Sequence, residues 1–175
     1  WLNVQMWVEM RVTEAYVKQE LGLAGLAGKT LESHPNYKIL KNFKYAREGR
    51  ELDELLEHQA STKFLWEDLR LNEVEPELLK TTDAFKTYVR YANKVDEDIW
   101  RFKTGAFHQN HLFEPKVYYG GSPEEMAVKL ELWAKAKRPG WYVKKLLYID
   151  ALEGTALISH PHYAYYQKFL DLRGK

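Results

Sequence analysis

Cysteine is absent from this chain. That single absence excludes disulfides, thiolate metal sites and cysteine nucleophiles, and it suits a protein working in a reducing compartment. Proline and glycine are sparse, six and ten respectively, and most fall between periodic stretches, where helices need punctuation. No apolar run approaches the roughly eighteen residues of a spanning helix, so no membrane span is expected. An excess of either charge is also missing. A formal net charge of +1 leaves no strongly basic field to draw in nucleic acid or an anionic membrane. No signal peptide is visible, and the chain opens on Trp1 rather than Met, inside a repeat, as expected of an excised fragment.

What remains is the composition of a folded protein: 45% apolar, 29% charged. Aromatics reach 14%, so large rings must carry much of the packing.

The organising feature is an internal repeat. Tyr16, Val17, Lys18, Leu21, Leu26, Gly28, Leu31, Ser33, His34, Pro35, Tyr37 and Phe43 recur, 126 positions later, as Tyr142, Val143, Lys144, Leu147, Leu152, Gly154, Leu157, Ser159, His160, Pro161, Tyr163 and Phe169. Every residue type is identical without a gap, and the match reaches back to Trp7 and Trp133. A more divergent copy lies 48 positions after the first. Val17, Leu21, Leu23, Leu26, Leu31, Tyr37, Leu40 and Phe43 become Leu65, Leu69, Leu71, Val74, Leu79, Phe85, Tyr88 and Tyr91. Apolar character survives where identity does not, as burial requires.

Each copy predicts four helices. Leu2, Met6, Trp7 and Met10 fall on one face at 3.6 residues per turn, as do Leu52, Leu55 and Leu56, and Val128, Leu132 and Trp133. Thr13 and Ser61 are good N-caps for the second helix. A third, short helix ends near Leu31, Leu79 and Leu157. Ser-His-Pro then opens the fourth, with Pro near its first turn. The expected fold class is all-α: short helices in tandem repeats, packed into a bundle or superhelical array that shares apolar faces. The copies divide the chain into 1–47, 48–122 and 123–175. Residues 96–122 fit no copy and are expected to be an irregular aromatic segment, either packed or functional.

Phe64-Leu65-Trp66, followed by Leu69 and Leu71 and closed by Phe85, Tyr88 and Tyr91, resembles the Trp-bearing motif of oomycete RXLR effectors, which are built on the WY helical fold. The outer copies resemble the L motif of tandem LWY arrays in the same family, making 1–47 and 123–175 L-type units and 48–122 a WY-type unit. Tyr118-Tyr119-Gly120-Gly121 resembles a shortened Tyr motif. No Arg-x-Leu-Arg or Glu-Glu-Arg sequence is present.

The resemblance implies secretion by a plant pathogen, entry into the host cytoplasm or nucleus, and suppression of immunity by a non-catalytic scaffold that binds a host protein. Family partners include protein phosphatase 2A, with its scaffold subunit as a candidate, Rab GTPases and autophagy-related ubiquitin-like proteins. It further implies that Trp66 and a tyrosine (Tyr88, Tyr91 or Tyr119) are stacked core residues. With Trp7, Leu69, Trp133, Tyr37 and Tyr163 they form the expected structural core. The expected partner surface lies on exposed helix faces or in 96–122, where Trp100, Phe102, Phe107 and Phe113 are not explained by the repeat.

Catalytic readings are weaker. His108 and His111 sit three apart and could share a helical face as metal ligands, with Glu114 or Asp96 as a third; a polar pair in a loop is the plainer reading. His34 and His160 are expected to serve the turn they recur in. Glu124 and Glu125 open a helix, where negative charge favours the amino-terminal dipole. Glu51, Asp53, Glu54 and Glu57 line a solvated face. No glycine-rich loop follows a strand, and no serine sits in a nucleophile context. Trp66-x-x-Leu69 and Phe169-x-x-Leu172 match the pattern by which extended segments insert two side chains into ubiquitin-like partners, but both fall on core positions. No cofactor and no catalytic residue is expected. The alternatives to the effector reading are a general helical-repeat adaptor and a metal-dependent enzyme built around His108 and His111.

Overall fold

The structure, a computed structural model, describes residues 2–106 and 121–174. The described residues are helical without a strand, and the chain divides into two compact units, Trp1–His58 and Gln59–Lys175.

The first unit holds α1 (Leu2–Glu9), α2 (Glu14–Glu20), α3 (Gly28–Glu32) and α4 (Tyr37–Glu57). α1 and α2 pack on α4 around Val4, Trp7, Val17, Leu23, Leu40 and Phe43. The Trp7 ring meets Phe43 edge-on at 6.4 Å. Thr13 caps α2, its hydroxyl accepting from the Tyr16 amide at 3.1 Å, so one free helix-end donor is satisfied. Glu14 ties α2 to α4 by facing Lys18, Lys44 and Arg47 at 3.1, 3.6 and 3.9 Å.

The second unit holds α5 (Thr62–Asp68), a 3₁₀ turn (Leu71–Glu73), α6 (Pro76–Leu79), α7 (Asp83–Lys103), α8 (Pro123–Lys135), α9 (Gly140–Leu146), α10 (Gly154–Ile158) and α11 (Tyr163–Arg173). It has two cores. One gathers Trp66, Leu71, Leu79, Phe85, Tyr88, Ala92 and Val128; the other gathers Ile99, Met126, Leu130, Trp133, Tyr142, Val143, Leu146, Leu147, Ile149 and Phe169. α8 supplies both, giving Val128 to the first and Met126, Leu130 and Trp133 to the second.

The repeat is written into the elements. α2 and α9 occupy equivalent residues at an offset of 126, as do α3 and α10; α5 takes the place of α2 at an offset of 48. Backbone strain recurs with them. Arg11, Gln59 and Lys137 are equivalent and all left-handed, at φ 53°, 55° and 54°; Gly22, Arg70 and Tyr148 form a second such set at 70°, 54° and 53°. These residues end helices. The Arg11 amide donates to the Val8 carbonyl and Val12 to Trp7, and Lys137 and Arg138 repeat the pattern to Ala134 and Trp133. That is the Schellman arrangement, in which a left-handed residue satisfies the last carbonyls.

Two expectations are corrected. Residues 96–103 are not irregular: α7 continues through them to Lys103, because the helical spacing of Tyr88, Ala92, Asp96, Ile99 and Lys103 continues although the repeat does not. Pro35 does not lie in the first turn of the fourth helix either; it occupies the turn before α4, which begins at Tyr37. α4 itself runs unbroken past residue 48, so the last helix of the first copy and the first helix of the second are one rod.

Candidate functional site

Trp7, Trp66, Tyr88, Tyr91 and Trp133 are buried, and Leu69, Tyr37 and Tyr163 are half-buried. Trp66 stands edge-on to Tyr88, ring centres 4.8 Å apart. Tyr91 turns elsewhere and donates its hydroxyl to the Ala60 carbonyl at 2.7 Å; burial pushes its pKa up to about 12. Tyr118, Tyr119, Phe107, Phe113, His108, His111 and Glu114 lie outside the described residues. Among the described residues no group of three or more His, Asp or Glu is placed to hold a metal, and no helix is long and apolar enough to cross a membrane.

The recurring histidines build turns. The His34 Nδ1 accepts from the Asn36 amide at 3.1 Å, and the His160 Nδ1 accepts from the His162 amide at the same distance. Asn36 then donates its side-chain amide to the Leu21 carbonyl at 2.9 Å; His162, its equivalent, holds Nδ1 at 2.9 Å from the Leu147 carbonyl. A carbonyl only accepts, so His162 Nδ1 carries the proton.

Two polar groups sit inside the second unit. At the first, Tyr88 donates its hydroxyl to Glu125 Oε1 at 2.8 Å, and Lys129 Nζ, one turn along α8, lies 3.2 Å from the same oxygen. Glu124 and Glu125 lie in the first turn of α8, as expected of residues that open a helix, and Glu125 is wholly buried there. Its amide is held by the Ser122 hydroxyl. A Cβ on Gly121 would overlap the Glu125 carboxylate, so glycine is required there for packing. Burial pushes the Tyr88 phenol up, with the Glu125 charge adding to it, and burial pulls the Lys129 ammonium down against the attraction of Glu125.

At the second, Asp96 of α7 receives Arg138 Nε at 2.9 Å and the Tyr142 hydroxyl at 2.8 Å. Arg138 also reaches Glu97 at 3.0 Å. Asp96 is therefore an ion-pair partner, which corrects its reading as a candidate metal ligand. Burial pushes the Asp96 carboxyl up against the pull of Tyr142 and Arg138. The hydrogen bond from Arg138 holds Glu97 down. Burial opposes the Arg138 charge, yet Asp96 and Glu97 outweigh it and raise its pKa. Tyr142 is pushed up by burial and then by the Asp96 charge.

An aromatic stack lies over this second group. The Arg138 guanidinium sits 4.6 Å above the Trp100 ring. Trp100 stacks on Trp141 at 5.8 Å and 29° and meets Tyr142 edge-on at 5.2 Å. Trp100 and Phe102 are half-buried; Trp141 is 45% exposed, with Lys145 Nζ 5.9 Å over its ring. Sequence reasoning missed Trp141, Arg138 and Glu125. For two of them the signal lay in the copies, since Arg138 replaces Val12 and Trp141 replaces Ala15. A residue that turns charged or aromatic between otherwise matching copies marks a place where the environment has changed.

The Asp96, Glu97 and Arg138 charges are occupied by one another, and the exposed Trp141 ring lies under Lys145 Nζ.

No protein-family profile matches the chain, and no solved structure matches it. Curated proteins do. The chain is 35% identical over 159 residues to a secreted RxLR effector protein of Phytophthora infestans, covering 89% of this chain and 66% of that protein. It is 29% identical over 127 residues to the RxLR effector protein Avr1 of the same organism, covering 73% of this chain and 54% of that one. The chain thus spans just under two thirds of the first relative's length and about half of the second's.

Proposed function

Because the chain belongs to the RxLR effectors of oomycetes, we propose that it acts inside plant cells after secretion by a pathogen, as a non-catalytic scaffold that captures a host protein and so suppresses immunity. The observation that supports this most is the contrast between copies. Their shared core positions, such as Val17, Leu65 and Val143, keep their apolar character while their exposed faces differ, as expected of a scaffold whose surfaces are adapted separately from its core. In this reading the modules are of WY and LWY type, with Trp66 against Tyr88 as the central aromatic pair.

A folded partner surface fits better than capture through Trp66-x-x-Leu69. Trp66 is 2% exposed, and releasing it would open the core that it fills. The protein phosphatase 2A scaffold, Rab GTPases and autophagy-related ubiquitin-like proteins are partner classes suggested by the family alone.

The test is affinity capture from plant tissue followed by mass spectrometry, beside an immune-response assay in leaves expressing the chain. One reproducible host protein and a reduced response to an elicitor are expected. Absence of any reproducible partner at micromolar concentration defeats the proposal.

A further inference from the structure

A cleft opens in the first unit between α1, α2 and α4 and encloses about 320 Å³, within the range of sites that hold small molecules. Trp7, Val8, Val12 and Phe43 give it apolar walls, and Arg47 lines it from α4. The repeat does not require this combination. Val95 takes the place of Arg47 in the middle copy, and Arg138 and Gly140 take those of Val12 and Glu14 in the last. These walls and charges occur together in one copy only.

Most charges around the cleft are committed to one another. Glu54 faces Arg11 at 2.8 Å and Arg50 at 3.2 Å, and Arg50 also donates to the Val8 and Glu9 carbonyls at the end of α1. Glu14 faces Lys18 at 3.1 Å and Lys44 at 3.6 Å. Arg47 differs. Glu14 stands 3.9 Å from it and Glu51 3.7 Å, too far for hydrogen bonds. Its guanidinium lies 5.5 Å over the Phe43 ring. Its Nε is shut off from solvent and, among the described residues, meets no hydrogen-bond acceptor. An unmatched buried donor is costly, so a ligand that supplies its acceptor recovers what the free chain forgoes.

We infer that the cleft binds a small carboxylic acid with an apolar body, its carboxylate on the Arg47 guanidinium and its body against Trp7, Val8 and Val12. The planar guanidinium fork matches a carboxylate. An amine fits less well, because Glu14 and Glu54 are already matched by cations. A phosphate dianion fits less well too, because Glu54 occupies Arg11 and Arg50 and leaves it a single guanidinium. A neutral apolar molecule covers the walls and leaves Nε unmatched. Glu51 opposes the acid weakly, since its side chain is 63% exposed and solvent screens it. The site goes beyond the effector reading and does not depend on it.

The experiment titrates the full chain with phenylacetate. Binding is read by calorimetry and by the arginine Nε–Hε signals of the isotope-labelled protein, the Arg47 signal being identified by its loss in Arg47→Lys. Phenylacetamide and phenethylamine, the neutral and cationic counterparts, run alongside. Saturable binding of the acid is expected, and the Arg47 signal should move further than those of Arg11, Arg50 and Arg173. Arg47→Val is expected to weaken binding at least about tenfold, with unchanged helical circular dichroism. Valine at position 47 copies Val95, so the fold has a precedent for it. Arg173→Val makes the same change at the equivalent residue of the last copy and should leave binding unaltered.

The inference is overturned by no saturable binding at millimolar concentration, equal binding of the amide or the amine, or an Arg47 signal that stays still. Unchanged binding by folded Arg47→Val, or equal weakening by the two valine variants, overturns it as well. The Arg47 signal is read in the unaltered chain, so a variant that fails to fold does not stop the test. Capture of a host protein bears on the effector reading alone, and the two readings fail separately.

Discussion

Tyr16 and Tyr142 are the same residue at equivalent positions of two copies, yet Tyr16 is 46% exposed and Tyr142 is fully buried. The difference comes from what is placed against the ring. In the second unit α7 runs on past its repeat and brings Asp96, Ile99 and Trp100 to Tyr142. In the first unit the described charges stay at the surface instead, in pairs such as Arg11 with Glu54 at 2.8 Å, where the side chains are 68% and 39% exposed. A repeat position therefore prescribes backbone and volume, while the neighbouring element decides whether the residue is core or surface.

Removing Arg138 should break the comparison most severely. Arg138→Ala leaves Asp96 buried without its cation, a change that costs about 3–5 kcal/mol in other proteins. The second unit should then exchange its amide hydrogens faster across α7–α9, as hydrogen-exchange mass spectrometry would report, while the first unit keeps its protection. Next comes the tyrosine pair. Tyr142→Phe strips Asp96 of a hydroxyl donor and should cost about 1–3 kcal/mol, whereas Tyr16→Phe should stay within about 0.5 kcal/mol; urea unfolding of each variant gives both numbers.

Alkali supplies a third test with a fixed sign. Tyr88 and Tyr142 have folded pKa values raised above the ordinary 10.0, so their contribution is complete below 10.0 and is lost as pH rises above it, when the unfolded chain ionises first. Lys129, lowered from 10.5, runs the other way until that pH and then stops. Above 10.5 the melting temperature should fall, and Tyr142→Phe should flatten the fall. The smallest effect is expected at the left-handed turns. Lys137→Gly should relieve the strain of φ 54° and raise stability by roughly 0.5–1 kcal/mol, measurable as a small rise in melting temperature.

Much of this was legible beforehand. The 126- and 48-residue offsets located the helices, Thr13 and Ser61 were readable as caps, and the histidine turns followed from their recurrence. The charged interior was not legible, because nothing local marks Asp96 or Glu125 as buried until their partners arrive from other helices. Arg138 is 42 positions from Asp96, and Glu125 is 37 from Tyr88, and no local period links residues so far apart. The extension of α7 was missed for a related reason: matching copies identifies what recurs, whereas Asp96 to Lys103 is a helix that occurs once.

α8 belongs to two cores at once, with Val128 in one and Leu130 and Trp133 in the other. For a lineage that diversifies by shuffling copies, this helix is a poor place to cut. A crossover between Ser122 and Lys135 would orphan hydrophobic surface on both sides of the joint. Genes that gain or lose copies in this region should therefore carry α7, α8 and α9 together as one heritable block.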